Sequence, residues 1–348
     1  MARTLAIGVG ATIGAVVLAL PTAMALVLPR GRWTRAIVAT LIVWPLLAPP
    51  CVIGYAWTLL ATQDGMLGGA LRGLGWNSRA MAPVFAAWVQ AAWLWPIPAL
   101  FIAAAFRLVG RPAYRLALLD ATPVRAFFRA GLPAISGALV ASAAVVFLLS
   151  IQDSAIPPLL LVTTWPSEMM TEVVRAASAP NPTAFLATRS WPILAATAIA
   201  IPPLFVGLRR LWFDRGTLTY DESGPSAPGM NILQGVAVAV TTAISLLPMT
   251  VFIWEFGRSP ESLGSALDAA WRLYPDEFKI TGLVCVICAA LGVGIGLTAL
   301  RERNESRLWR MASAIAASGM LLLALFPPAV IGRAMISAID REWGVPAS

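Results

Sequence analysis

The sequence contains no histidine and a single lysine, Lys279, and these two shortages exclude several classes of protein. Without histidine there can be no His-ligated haem, no His-based zinc site and no Ser–His or Cys–His catalytic pair. The lysine lies in Asp-Glu-Phe-Lys-Ile, so the chain lacks the Gly-x-x-x-x-Gly-Lys-Ser/Thr loop that cradles phosphates. The chain is therefore not a P-loop ATPase by itself.

Cysteine is also rare, and its surroundings argue against redox or metal chemistry. Cys51, Cys285 and Cys288 all lie in apolar runs, where a free thiol usually behaves as a small hydrophobic residue. The spacing of Cys285 and Cys288 matches a redox motif, but a hydrophobic helix is the wrong setting for one. We predict no catalytic residue, no metal site and no cofactor.

Charged residues make up only 12% of the 348 residues, against about 25% in an average soluble domain. Hydrophobic residues make up 59%, and the mean hydropathy is +0.78. A membrane-spanning helix needs roughly 20 apolar residues. Eight runs reach about that length, and they predict an all-α polytopic membrane protein: 5–28, 36–61, 83–106, 134–151, 190–208, 231–254, 280–300 and 311–338. Pro96 and Pro98 predict a bend in the third span.

The arginines predict the orientation of these spans. Basic residues concentrate on the cytoplasmic side of membrane proteins. Fifteen of the 25 basic residues fall in the segments after the first, third, fifth and seventh spans: Arg30, Arg32, Arg35, Arg107, Arg111, Arg115, Arg125, Arg129, Arg209, Arg210, Arg215, Arg301, Arg303, Arg307 and Arg310. Both termini are then outside, and the net charge of +8 reflects topology rather than a nucleic-acid partner. A cleaved signal peptide ending near Ala23-Met24-Ala25 is an alternative that the charge distribution opposes.

A polar segment rich in Gly, Pro and Ser, 214–229, predicts a linker between residues 1–213 and 230–348. Across this linker the sequence begins to repeat, because 49–54 (Pro-Pro-Cys-Val-Ile-Gly) matches 327–332 (Pro-Pro-Ala-Val-Ile-Gly). The sequence of the first two spans is similar to that of the last two, which have the same predicted orientation. We expect one nearly complete unit followed by the start of a second, incomplete one.

The predicted cytoplasmic loop 107–133 has the pattern of two short amphipathic helices joined by a break at 120–123. Its second helix carries apolar and basic side chains together: Val124, Arg125, Phe127, Phe128 and Arg129. Such a pair of helices can rest on the lipid surface or fill a groove on a cytoplasmic partner. The residues alone leave these two alternatives open.

This loop resembles the EAA loop of bacterial ABC importer permeases, the membrane subunits of binding-protein-dependent uptake systems. That pattern is roughly Glu-Ala-Ala-x-x-x-Gly-Ala-Ser-Pro, then basic and aromatic residues, then Leu-Pro. The matching positions are Ala121, Thr122, Pro123, Arg125, Phe127, Arg129, Leu132 and Pro133. The departures are Tyr114 in place of the glutamate, Arg115 and Leu116 in place of the two alanines, and Asp120 in place of the glycine.

Two further stretches are similar to permeases for ferric iron, thiamine and related solutes. Residues 147–160 resemble the family's Phe-x-x-Ser-x-x-Asp/Glu segment, and 44–54 resemble its Pro-rich second core span. The resemblance covers about 5–213, with 231–340 as the start of a second unit. It implies a type I permease core without catalytic residues, translocating a solute such as ferric iron. It also implies three protein partners: a cytoplasmic ABC ATPase, an extracytoplasmic solute-binding protein and a second permease chain that completes the second unit.

The resemblance assigns ATPase coupling to the loop residues Tyr114, Arg115, Asp120, Ala121, Pro123, Arg125, Phe127, Arg129, Leu132 and Pro133. Polar residues at membrane depth are candidates for a translocation path. Four were chosen on that ground: Gln90, Ser150, Gln152 and Asp153. For Gln90 the alternative is a hydrogen bond between helices. For Asp153 the alternative is a solvated carboxylate at a helix end.

Two other functions remain open at the level of sequence. The incomplete second unit and the altered loop favour a truncated or regulatory permease-like protein without transport of its own. An autonomous ion-gradient transporter or channel would need charged relays within the spans, and these are nearly empty of Asp, Glu and Arg. The expected location in every case is a membrane, and for the importer it is the bacterial inner membrane.

Overall fold

The computed structural model describes residues 1–27, 32–61, 68–73, 78–176, 182–213 and 230–258, together with residues 265, 268 and 272. Within these ranges the chain forms helices and the turns between them, and no strand. The predicted all-α class is therefore confirmed for the part that is described. The linker 214–229 and the predicted spans 280–300 and 311–338 lie outside it, so the second unit stays a prediction.

Six helices precede the predicted cytoplasmic loop, and four short elements form that loop. The six helices are α1 (Ala2–Val27), α2 (Arg32–Leu47), α3 (Pro50–Ala61), α4 (Gly68–Gly73), α5 (Ser78–Leu94) and α6 (Pro96–Ala105). The loop contains a π-helical turn, π1 (Phe106–Gly110), then α7 (Arg111–Ala117), α8 (Pro123–Ala126) and a second π-helical turn, π2 (Phe127–Gly131). We call residues 106–134 the hairpin.

The remaining helices follow in the order of the predicted spans. They are α9 (Leu132–Ala134), α10 (Ser136–Gln152), α11 (Ile156–Leu159), α12 (Trp165–Ala176), α13 (Pro182–Phe213) and α14 (Met230–Arg258). At the start of helix α12 the Thr164 backbone N–H donates to the Ser167 hydroxyl, and that hydroxyl donates back to the Thr164 carbonyl oxygen.

Two described helical stretches, Ala2–Met24 and Ser190–Gly207, are long and apolar enough to cross a membrane by themselves. Three more candidates appear if each pair of helices joined by a bend is counted as one span, which makes up to five. Helix α14 adds a shorter apolar stretch, Val238–Trp254. These lengths and compositions fit a membrane-embedded protein. The prediction of eight spans remains a prediction.

Prolines interrupt two of the predicted spans. The predicted span 36–61 is two helices inclined by 95°, because Pro49-Pro50 cannot continue the hydrogen-bonding pattern of α2. In the predicted span 83–106 the expected bend is present, with 46° between α5 and α6 at Trp95, directly before Pro96. A third bend of 63° separates the end of the hairpin from α10.

Helix α1 is a central helix of the bundle, packed against α5, α6 and α10. Small residues allow this close packing. Ala11, Ala15, Ala19 and Ala23 follow one another every four residues and are fully buried. On the neighbouring face a Cβ placed on Gly14 would lie 2.9 Å from the Cβ of Ala91 in α5. Small residues at this spacing let helix backbones approach each other within a membrane.

Helix α13 packs closely on α10, and a glycine again permits the contact. A Cβ on Gly207 would collide with the carbonyl oxygen of Gly137 and would lie 2.7 Å from the Cβ of Ala141. The obstacle is backbone, which cannot rotate away as a side chain can. The α10–α13 contact therefore depends on a hydrogen atom at position 207.

Helix α14 follows the predicted linker. Its residues up to Ile253 belong to the compact unit that begins at Met1. Buried hydroxyl groups attach it to two other helices. The Thr22 hydroxyl of α1 is 3.2 Å from the Thr241 hydroxyl, and the Trp95 Nε1–H donates to the Ser245 hydroxyl oxygen at 3.0 Å. A second unit covers Trp254–Phe326, and in its described part Arg272 pairs with Asp268 at 2.6 Å.

Candidate functional site

The residues chosen from the sequence fall into two groups along the bent span of α5 and α6. The hairpin begins directly after Ala105, at the end of α6. Gln90 lies in α5, 15 residues before Ala105, which corresponds to about 22 Å of helix. The hairpin and the polar residue Gln90 are therefore connected by one bent pair of helices, α5 and α6.

The hairpin has the two-helix form expected from its sequence. After α7, the backbone N–H groups of Leu119 and Asp120 bond to carbonyl oxygens three residues earlier, which ends the helix in a turn. Helix α8 then begins at Pro123, a residue suited to the first position of a helix. The sequence did not predict the π-helical turns, which have one extra residue per turn and are often found at functional sites.

The root of the hairpin is a cluster of three aromatic rings. Phe106 is 1% exposed, and its ring centroid lies 5.8 Å from that of Tyr114 and 6.1 Å from that of Phe127. Gly110 and Gly131 leave room for this ring, because a Cβ on either would lie within 3.1 Å of a Phe106 carbon. Phe106 thus joins the end of α6 to both helices of the hairpin.

Tyr114 occupies the position that the permease pattern gives to glutamate, and it lies on the buried side. Burial raises the pKa of the Tyr114 hydroxyl above its ordinary value, so the group stays neutral at physiological pH. The nearest negative charge in the pattern is Asp120, which is exposed at the turn. An acidic group is therefore present on the hairpin, but at its tip.

The outer face of the hairpin combines apolar and charged side chains. Leu116, Leu119 and Phe128 are 69%, 79% and 61% exposed. Arg125 and Arg129 are also exposed. The fold places Tyr114 inside and the two leucines outside. We call the exposed side chains of Leu116, Leu119, Arg125, Phe128 and Arg129 the docking face.

The other predicted coupling residues lie between these two faces. Arg115, Ala121 and Leu132 are partly buried, and Pro133 is exposed in the turn of helix that leads to α10. Phe127 is partly buried against the core, next to the exposed Phe128. Sequence reasoning did not assign Leu116, Leu119 or Phe128 to the site. The signal that was available is an apolar stripe on a segment outside the predicted spans.

The second group contains three of the four residues chosen for a translocation path, and hydrogen bonds join them. The Gln90 side-chain amide donates to Asp153 Oδ2 at 2.8 Å and, more weakly, to the Ser150 carbonyl oxygen at 3.4 Å. The Ser150 hydroxyl donates to Gln90 Oε1. Gln90 is fully buried and Ser150 is 3% exposed. We call Gln90, Ser150 and Asp153 the polar cluster.

Asp153 also shapes the chain that follows α10. Its Oδ1 accepts the backbone N–H of Ala155 at 2.8 Å and that of Ile156 at 3.3 Å. The carboxylate is thus partly buried and hydrogen-bonded rather than freely solvated. Gln152 is buried at the last position of α10. The polar cluster binds α5 to the end of α10, and its contact with a solute stays a prediction.

Among the described residues, no group of three or more Cys, Asp, Glu or His side chains is arranged to hold a metal ion. Comparisons with protein-family models, curated proteins and solved structures find no match for this chain. The resemblance to importer permeases therefore rests on the residues quoted above. What the protein does has to be argued from the hairpin, the polar cluster and the apolar helices.

Proposed function

We propose that this chain is the transmembrane permease subunit of an ATP-driven ABC importer in a bacterial inner membrane. The observation that carries the proposal is the hairpin, which has a buried aromatic root and an exposed docking face. A short helix that presents apolar side chains outward suits a groove on another protein. Because the chain has no P-loop lysine, ATP hydrolysis would belong to a separate cytoplasmic subunit.

The exposed charges around this face are of both signs. Anionic headgroups attract Arg125 and Arg129, but they repel the exposed carboxylate of Asp120 at the tip. A protein groove can meet both signs of charge with complementary side chains. The hairpin would then pass movement of the ATPase to α6 through Phe106 and to α10 through α9.

The remaining parts of the proposal follow from the permease resemblance. A solute, for which ferric iron is one candidate, would be delivered by an extracytoplasmic binding protein and would pass the polar cluster. A second permease chain would supply what residues 230–348 lack. Both termini would lie outside.

We expect glutamate on the docking face to abolish ATPase binding while leaving the membrane domain folded. In Leu119→Glu and Phe128→Glu a charge would enter an apolar groove, and each variant should retain less than about a tenth of the wild-type affinity, a loss of about 1.4 kcal/mol or more. The measurement is co-purification with a candidate ABC ATPase that is co-expressed with this chain, with gel filtration as the folding check.

The matched control is Met170→Glu, which adds the same charge at a half-exposed apolar position of α12. Its ATPase recovery should equal that of the wild type. If Leu119→Glu and Phe128→Glu kept wild-type recovery and uptake, the coupling role of the hairpin would be wrong. The same would follow if Asp120→Asn combined with Arg125→Gln changed neither docking nor uptake.

One observation favours a second candidate, a regulatory permease-like protein that binds an ATPase without transporting. The position of the family's glutamate carries a neutral, buried tyrosine, so that charge is missing from the docking face. A transporting subunit should stimulate ATP hydrolysis in the presence of loaded binding protein, whereas a regulatory one should bind without stimulation. An ion-gradient transporter has little support, because no Asp, Glu, Lys or Arg is among the fully buried side chains of the described residues.

A further inference from the structure

The segment Asp153–Thr164 connects α10 to α12 at the end of the bundle away from the hairpin, and its first residue belongs to the polar cluster. We call it the cap. It contains the single turn α11, followed by a tight turn in which the N–H groups of Leu160 and Val162 both bond to the Pro157 carbonyl oxygen. The cap also contacts α1, α3 and α5.

The first attachment is to α5. Asp153 is the only residue of the cap that bonds to the Gln90 side chain, through Oδ2. Its other oxygen holds the N–H groups that start α11. Hydrogen bonds to a charged acceptor stabilise more than those between neutral groups. Loss of the Gln90–Asp153 bond would therefore release the cap at its beginning.

The middle of the cap rests on small apolar surfaces. A Cβ on Gly54 of α3 would lie 3.0 Å from a Leu159 methyl carbon and 3.4 Å from an Ile156 carbon, so these side chains cover the glycine. Val162 is 3% exposed and packs with Ala86 of α5 in a small apolar cluster. Two buried residues, Ile156 and Val162, thus fasten the middle of the cap to the bundle.

The far end of the cap is tied to α1. The Trp165 backbone N–H donates to the Thr4 hydroxyl oxygen at 2.9 Å, and Arg3 donates to the Thr163 hydroxyl oxygen at 3.3 Å. Thr163 is exposed, so the second of these bonds competes with water. The firm hold at this end is the bond at Trp165, where α12 begins.

Leu161 lies at the tip of the cap in an unfavourable conformation. Its φ is 57°, in the left-handed region that leucine avoids, and its side chain is 93% exposed. Among the described residues it is the one non-glycine residue with a positive φ. The conformation is imposed within the cap itself, because the N–H groups of Leu160, Leu161 and Val162 bond to the carbonyl oxygens of Pro157 and Pro158. The turn can therefore keep its form whether or not the cap lies on the bundle.

We propose that the cap is a gate over the polar cluster and that the Gln90–Asp153 hydrogen bond is its latch. When the latch opens, the cap swings about its Trp165 end, and Gln90 and Ser150 become accessible from the outer side. The gate rests on the proposed function for its purpose, because an importer must open toward its binding protein. Its existence as a movable element is a property of the chain alone.

The test measures access to a residue beneath the cap. Ala86→Cys places a small thiol at a fully buried position under Val162, in a chain whose Cys51, Cys285 and Cys288 are replaced by serine. The purified full chain in detergent is treated with a charged, water-soluble maleimide. Adding Gln90→Leu, which keeps the bulk of the side chain but cannot hydrogen-bond, should raise the labelling rate about tenfold.

The control variant is Thr22→Val, which removes another buried hydrogen bond between helices, that to Thr241. Its labelling rate should stay within about twofold of the parent. A second variant serves if Gln90→Leu does not fold. Asp153→Asn keeps an Oδ1 that accepts the N–H groups of Ala155 and Ile156, but its amide nitrogen cannot accept a hydrogen bond from Gln90. It should therefore also speed labelling, by about tenfold.

Unchanged labelling in a folded Gln90→Leu variant would overturn the gate. So would equal acceleration by Thr22→Val, because the effect would then be general loosening. If only Asp153→Asn can be measured, an unchanged labelling rate overturns it. No ATPase is present in this experiment. A failed gate thus leaves the docking proposal intact, and failed ATPase binding leaves the gate intact.

Discussion

Replacing Gly207 by leucine is expected to leave little or no monodisperse protein, because α13 could no longer reach α10. The new Cβ would meet the Gly137 carbonyl oxygen and the Ala141 backbone nitrogen at 2.8 Å. Overpacking a core usually costs about 1–3 kcal/mol, and a collision with backbone should exceed that range. The measurement is the yield of monodisperse protein in mild detergent, followed by thermal unfolding.

Helix α14 offers a matched control at Gly235. A Cβ there meets nothing within 4 Å, so Gly235→Leu makes the same chemical change in a helix with open space. Its yield and unfolding temperature should match those of the wild type. Equal loss in both variants would mean that leucine is harmful for another reason. Equal tolerance would mean that α10 and α13 do not pack as described.

Replacing Phe106 by alanine should detach the hairpin from the membrane domain. The change removes a buried ring that contacts both Tyr114 and Phe127. Truncating a buried phenylalanine to alanine lowers the free energy of unfolding by about 3–5 kcal/mol. Gly110 and Gly131 cannot fill the cavity, because they have no side chains. Trypsin should then cut more rapidly at Arg115, Arg125 and Arg129. ATPase recovery should fall as well, since a mobile hairpin binds at an entropic cost.

Phe128→Ala is the matched control, because it removes the same ring from the adjacent, exposed position. The free energy of unfolding should change by less than about 0.5 kcal/mol, and the rate of tryptic cleavage should stay near that of the wild type. ATPase recovery should fall. The two variants therefore distinguish a role in anchoring the hairpin from a role in binding the partner. If Phe106→Ala left the tryptic pattern as it is in the wild type, the aromatic root would have no anchoring role.

Much of the helical architecture follows from composition. The run 5–28 predicted α1, observed at Ala2–Val27, and the run 134–151 predicted α10, observed at Ser136–Gln152. Helices of this length are expected wherever about 20 apolar residues occur together, since backbone polar groups in lipid must bond within the segment. The sharp break at Pro49-Pro50 was missed, because tolerated prolines and helix-ending prolines look alike in a sequence.

The hairpin shows where pattern reasoning stopped. Helical spacing identified its apolar residues, but it could not tell which of them meet the core. Tyr114 and Phe127 turn inward because Phe106 lies between them, and Leu116 and Phe128 turn outward. Tyr114 and Leu116 are two residues apart, about 200° around a helix, so their spacing separates two faces, and the position of Phe106 decides which face meets the core.

Scarcity of charge, histidine and lysine is a property of the chain in any conformation. It suffices to predict apolar helices and to exclude a P-loop or a histidine-based site. The pairing of polar groups is not determined in this way. Gln90 and Ser150 are 60 residues apart, and their hydrogen bond forms because α5 packs against the end of α10. Side-chain contacts between distant segments depend on the angles and separations of helices. Those are determined here by small residues such as Gly14 and Gly207, whose effect appears only when the helices pack together.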